Sequence, residues 1–204
     1  MMRSCPWSLL LIAPALLIVS PTGFAATISI NFEGPSDSTF ISTQYPGVTF
    51  SNAIILKSGI SLNELDFPPR SGVNVASDSG GGMSLIFSTP VQNFLAYFTY
   101  TVPVTLQAFD SSNRLLTSVR SLFATNTVSG GVLGSNPNEL IQVASAPGLS
   151  RVVITGDPAG SSFVLDDASF TTGQATSTPA EPSSMVLTGL VVLLGAAKAR
   201  FRRS

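Results

Sequence analysis

The chain has no histidine, one cysteine and one tryptophan in 204 residues, and only 10% of its residues are charged. Without histidine, neither a Ser-His-Asp nor a Cys-His catalytic arrangement can be built, and His-rich zinc sites are excluded. Cys5 and Trp7 both fall in the first ten residues, so the rest of the chain offers no thiol for nucleophilic attack or for a disulfide. No phosphate-binding loop and no nucleophile elbow occurs. Cations are scarce in the middle of the chain. Between residues 26 and 172 there are ten acidic residues (Glu33, Asp37, Glu64, Asp66, Asp78, Asp110, Glu139, Asp157, Asp166, Asp167) and five basic ones. A net charge of about −5 lacks the Lys/Arg patch that nucleic-acid binding requires.

What is present is clearest at the two ends. Arg3 precedes an apolar stretch from Trp7 to Val19, broken by Pro14, and Gly23-Phe-Ala25 supplies small residues where a signal peptidase reads. This predicts a signal peptide over residues 1–25, cut after Ala25 or Ala26, with an uncleaved anchor as the alternative. Cys5 lies before the apolar core, so it leaves with the peptide and is no acylation site. Export to an oxidising compartment without disulfides leaves hydrophobic burial, or a bound metal, to hold the fold.

At the other end, Met185 to Ala197 carries no charge. As a helix those thirteen residues span about 20 Å, short of the roughly 30 Å hydrocarbon core. Extending the count from Ser183 to Phe201, with Lys198 and Arg200 snorkelling, predicts a transmembrane helix at about 183–201. Lys198, Arg200, Arg202 and Arg203 then form a basic tip on the cytoplasmic side. The alternative is a helix buried in a core, as runs of this length often are. Against that, the run has no polar face and follows a Ser/Thr/Pro-rich linker over residues 173–182.

Pro179-Ala-Glu181-Pro182, the apolar segment and the basic tip form three consecutive parts, and this 179–204 layout resembles the PEP-CTERM sorting tails of Gram-negative bacteria. Ala180 stands where that family usually has the first proline of its Pro-Glu-Pro element. The resemblance implies a protein that is exported, transiently anchored in the inner membrane by its tail, and processed by an exosortase-type membrane enzyme. Its destination would be the cell surface or the extracellular matrix.

Residues 26–172 have the length of one domain and read as all-β. Short runs rich in Val, Ile, Phe and Thr alternate with Gly, Pro, Asn and Ser clusters. They predict strands at Thr27–Phe32, Val48–Leu56, Val73–Ala76, Met83–Phe87, Phe94–Tyr100, Val104–Asp110, Leu115–Leu122, Leu140–Val143, Arg151–Thr155 and Ser162–Phe170. In the hairpin around Ser111–Arg114, Val104, Leu106 and Ala108 share one face. Phe94–Tyr100, aromatic on both faces, reads as a central strand packed between layers. An antiparallel two-sheet sandwich, jelly-roll-like, closes such a set of strands. Ile30-Asn-Phe-Glu33, Tyr45-Pro-Gly-Val-Thr-Phe50, Val104 to Asp110 and Phe163-Val-Leu-Asp-Asp-Ala-Ser-Phe170 resemble the β-sandwich of many PEP-CTERM proteins. That sandwich is in turn similar to galactose-binding-like and carbohydrate-binding modules.

Among candidate sites, a glycosidase-like carboxylate pair would have to face across a cleft about 5–9 Å wide. Asp166 and Asp167, adjacent in a strand, should point to opposite faces, and Glu64 and Asp66 precede the loop Phe67-Pro-Pro-Arg70. Catalysis is therefore disfavoured. Ser77-Asp-Ser-Gly-Gly-Gly82 reads as a tight connection rather than a phosphate loop. Tyr45, Tyr97 and Tyr100 are few for a sugar-stacking platform and read as packing residues. The module resemblance implies a structural Ca²⁺ joining the first and last strands through Glu33 and Asp166, with backbone carbonyls and Asp37 or Asp167 completing the shell. The competing reading makes Asp166 and Asp167 an edge pair, or acceptors of backbone hydrogen bonds in a turn. Three functions follow: a non-catalytic component of the exopolysaccharide layer, a carbohydrate-binding protein with structural calcium, and a carbohydrate-active enzyme, the last disfavoured.

Overall fold

The computed structural model describes residues 25–173. The signal peptide, the linker from residue 174 onward and the sorting tail, with Pro179, Glu181, Pro182, Lys198, Arg200, Arg202 and Arg203, lie outside the described residues. The described chain forms ten strands and no helix. They are β1 (Thr27–Ile30), β2 (Phe40–Ile41), β3 (Val48–Ser51), β4 (Ala53–Lys57), β5 (Asn74–Asp78), β6 (Met83–Tyr100), β7 (Thr105–Phe109), β8 (Leu115–Arg120), β9 (Glu139–Thr155) and β10 (Phe163–Thr172). Every pairing between them is antiparallel.

Two long strands organise the sheet. The second half of β6 lies between β10 and the first half of β9; β1 and β5 share the other edge of β10, and β5 leads on to β4 and β2. The first half of β6 lies between β3 and the second half of β9, which continues to β7 and β8. The two halves of β6 are folded over each other. Phe87 and Phe94 lie in that one strand, yet their ring centroids are 6.3 Å apart. In a straight strand their Cα atoms would be about 23 Å apart. The bend coincides with register shifts between Ile86 and Asn93, around Pro90, which has no N–H to give to a ladder.

Folding the halves together turns alternate side chains inward to one core. Phe94, Ala96, Phe98 and Tyr100 of β6 are buried with Phe50, Phe163, Phe170 and Leu106. Phe32, Tyr45 and Phe50 pack edge to face at 5.6 to 6.1 Å between centroids. Val104, Leu106 and Ala108 are all fully buried, as their shared face predicts.

Several strand expectations are corrected. Val48–Leu56 is two strands, because Asn52 takes a positive φ of 56° and redirects the chain from β6 to β5. Two pairs of expected strands are each continuous through a bend, as β6 and β9. The two-residue β2 is too short to leave a pattern. Phe94–Tyr100 is aromatic on both faces, but only one face meets the core. Tyr97 is half-buried on the other.

Candidate functional site

Because residues 94, 96, 98 and 100 face the core, Asn93, Leu95 and Tyr97 face outward. Register sets their neighbours. Tyr97 lies between Asp166 and Leu140, Leu95 between Ser169 and Gln142, and Asn93 between Thr171 and Ala144. On the far side of β10, Ser29 and Thr27 of β1 continue the rows next to Ser169 and Thr171. The result is a hydroxyl- and amide-bearing sheet face with Leu95 and Tyr97 set into it.

The loop after β4 crosses this face. The Arg70 guanidinium carbon sits 3.3 Å from the centroid of the Tyr97 ring, a close cation–π contact. Its Nε forms an ion pair with Asp167 Oδ2 at 3.2 Å. A cavity of about 460 Å³ opens beside this stack, floored by Leu95, Tyr97 and Ser169 and walled by Ser29, Ile30, Asn31, Arg70 and Asp167. That lies within the size range of small-ligand sites.

The carboxylates serve the same loop. Asp166, 1% exposed, accepts the N–H groups of Arg70 and Ser71 on Oδ2, each at 2.9 Å, and that of Asp167 on Oδ1 at 2.7 Å. Asp167 accepts the Ser71 hydroxyl at 2.7 Å. Strand alternation predicts opposite faces for this pair, and the structure corrects that prediction. Asp167 has a positive φ of 47°, at a register shift between Asp166 and Ser169, so both carboxylates meet the segment Arg70–Ser71. Glu33 Oε1 accepts the N–H groups of Val73 and Asn74, both at 2.9 Å.

These contacts bear on the calcium expected at Glu33 and Asp166. Both oxygens of Asp166 and one of Glu33 already receive N–H donors, whose positive ends occupy the directions a cation would take. Among the described residues, no three acidic, His or Cys side chains are grouped as a metal would need. Asn74 Oδ1 and Tyr45 OH are buried without partners, but Asn74 turns its amide nitrogen to Phe32 O and Pro35 O, both at 3.0 Å. The donor set does not fit a cation shared by Glu33 and Asp166. The melting midpoint is accordingly expected to be the same in millimolar Ca²⁺ and in chelator. A rise of several degrees with Ca²⁺, lost in Asp166→Asn, would restore the metal.

The remaining candidates serve the scaffold. Asp78 is buried and accepts the Ser162 N–H at 3.0 Å, the Ser162 hydroxyl at 3.1 Å and the Phe163 N–H at 3.2 Å. Gly80 and Gly81 beyond it take positive φ, in keeping with a tight connection. Asp66 accepts from Ser129 N–H and Asn63 Nδ2, tying two loops together. Asp37 accepts the Lys57 N–H and the Ser61 hydroxyl. Tyr100 is buried, with its hydroxyl on Glu139.

Burial pushes the Asp166 carboxyl up to about 6, aided by the neighbouring Asp167 charge and opposed by the N–H donors. Burial also raises Asp78. A carboxyl whose pKa is higher when folded binds its proton more tightly in the native state. Its contribution to stability is full below the unfolded pKa near 3.8 and is lost as pH rises through about 6. Asp37, Asp66 and Asp110 shift downward, chiefly through hydrogen bonds, but all are at the surface and act below the acidic end of that window. The melting midpoint should therefore fall between pH 4.5 and 7, and Asp166→Asn should flatten the slope. A midpoint that rises over that interval would contradict this assignment.

No family model matches the chain, and no curated protein matches it. Solved structures do. The K2 cleaved adhesin domain of Lys-gingipain is similar at 15% identity and TM-score 0.47, over 72% of this chain and 100% of that one. A DUF4465 family protein from Bacteroides caccae is similar at 10% identity and TM-score 0.46, again over 72% and 100%. A family 29 carbohydrate-binding module is similar at 12% identity and TM-score 0.39, over 74% and 87%. What those domains bind stays with them.

The sequence reading placed Tyr97 among packing residues and passed over Arg70. Tyr97 has one usable signal, its odd position in a strand whose even positions, Phe94, Ala96, Phe98 and Tyr100, form the core. Arg70 had none, since only the fold brings the β4–β5 loop over β6.

Proposed function

We propose that this chain is an exported surface or matrix protein whose β-domain holds a neutral glycan in the outer-face cavity. The observation that carries the reading is the Arg70–Tyr97–Asp167 stack beside Ser29, Asn31 and Ser169. Adjacent sugar hydroxyls need donors and acceptors side by side. The guanidinium, the carboxylate, an amide and two hydroxyls supply both within one cavity. The stack is locally neutral, because Asp167 offsets Arg70, and the domain as a whole is acidic, which disfavours an anionic polysaccharide. Pull-down of the full-length protein with neutral and uronate-rich polysaccharides tests this: retention is expected on the neutral class and lost in Tyr97→Ala. Retention on the acidic class alone would sink the reading.

Delivery rests on the two chain ends. The signal peptide and PEP-CTERM-like tail support export, passage through the inner membrane and release by an exosortase-type enzyme into the exopolysaccharide layer. Released protein is expected to lack residues 185–204, and changing Glu181 and Pro182 to Ala should leave a longer, membrane-retained form. Mass spectrometry that finds an intact tail on released protein would refute this route.

A further inference from the structure

We infer that Glu33 and Gly72 are positioning residues of the cavity, fastening the segment Arg70–Asn74 as a strap that keeps the Arg70 guanidinium on the Tyr97 ring. The inference rests on the glycan reading for its consequence, but its geometry stands apart from it. Four backbone N–H groups in five residues, those of Arg70, Ser71, Val73 and Asn74, donate to two carboxylates. The carboxylates come from different elements. Asp166 belongs to β10, and Glu33 follows β1, where Phe32 takes a positive φ of 62°. The strap is thus pinned at both ends, with Arg70 at one pin and Asn74, the first residue of β5, at the other.

Gly72 lies between the pins and is fitted to them. It has a positive φ of 56°, and a Cβ there would overlap the Glu33 carboxylate. Any side chain at 72 must therefore either push Glu33 off the strap or change the backbone that aims the N–H groups. The Arg70 side chain is held to the sheet by its Nε ion pair with Asp167 and its stack on Tyr97, and it is 43% exposed. An exposed ion pair of this kind is weak. Without the strap, the long side chain regains its rotamer freedom and leaves the ring. The two carboxylates expected to share a cation thus have a defined task. Backbone N–H groups stand in the cation's place, and what they anchor is the cavity wall.

The test uses the full-length chain in mild detergent, reading the Arg70 Nε–H resonance and the affinity for a panel of neutral hexasaccharides. A proton held over an aromatic ring face resonates upfield, so the wild-type signal should be displaced and should return to its ordinary position in Tyr97→Ala. Glu33→Ala and Gly72→Ala are expected to return it likewise and to weaken binding by about fivefold or more. Asp78→Asn, which loosens the turn before β10 and not the strap, should leave the resonance and the affinity of the folded protein unchanged, separating positioning from general destabilisation. A displaced resonance that persists in both Glu33→Ala and Gly72→Ala would overturn the inference. If Arg70→Ala does not change affinity, the glycan reading fails at this cavity, and the strap is then decided by the resonance alone.

Discussion

Replacing Asn126 with alanine should lower the unfolding free energy by about 4 kcal/mol, the largest single effect expected outside the aromatic core. Asn126 is fully buried and bridges the long loop before β9 to the last residues of strand β6. Its Oδ1 accepts the Tyr100 N–H at 2.7 Å, and its Nδ2 donates to Phe98 O at 2.9 Å and to Asn136 O at 3.0 Å. Alanine strands the buried Tyr100 N–H and Phe98 O, at about 1–3 kcal/mol each, and frees the exposed Asn136 carbonyl to turn to water. For a domain of this size the melting midpoint should drop by roughly 10 °C. Asn126→Asp should be worse, because it keeps the acceptor but turns a negative oxygen toward two carbonyls. Neither change touches the cavity, so affinity measured on the folded fraction should not move. A drop of less than 2–3 °C in Asn126→Ala would mean that the loop does not depend on this bridge.

Arg70→Ala and Tyr97→Ala should each weaken glycan binding at least tenfold, about 1.4 kcal/mol, with little loss of stability. The two residues act as one unit. The ring supports the guanidinium at 3.3 Å, and the guanidinium presents its remaining N–H donors to the cavity. Arg70→Lys should not restore binding, since an ammonium is a point charge without the planar face that stacks. The double variant should lose little more than either single one, the signature of a coupled pair. Additive losses would mean that ring and guanidinium meet the ligand separately.

The fold was legible where a pattern is local. Alternation identifies the β7–β8 hairpin and its buried Val104, Leu106 and Ala108, and runs of Val, Ile and Phe mark the other strands except β2. It was not legible where tertiary geometry overrides the local pattern. Asn52, which tolerates a positive φ, is the one local sign of a turn inside an otherwise strand-like run, and the bend of β6 is defined by Phe87 and Phe94 meeting across the core. The site followed the same division. Glu33 and Asp166 are singled out together in the sequence, and in the structure both accept backbone N–H groups of one segment. The placing of Asp166 and Asp167 on opposite faces fails because a one-residue irregularity in β10 cancels the alternation on which it depends. Arg70 reaches β6 from a loop more than twenty residues earlier in the chain, a contact that no sequence periodicity encodes.

The most direct test of the glycan reading is amide chemical-shift mapping of the full-length protein as neutral hexasaccharides are titrated in. The account predicts perturbations confined to Ser29, Ile30, Asn31, Arg70, Leu95, Tyr97, Asp167 and Ser169, the residues around the cavity. Perturbations centred elsewhere, or none with any neutral hexasaccharide, would contradict it.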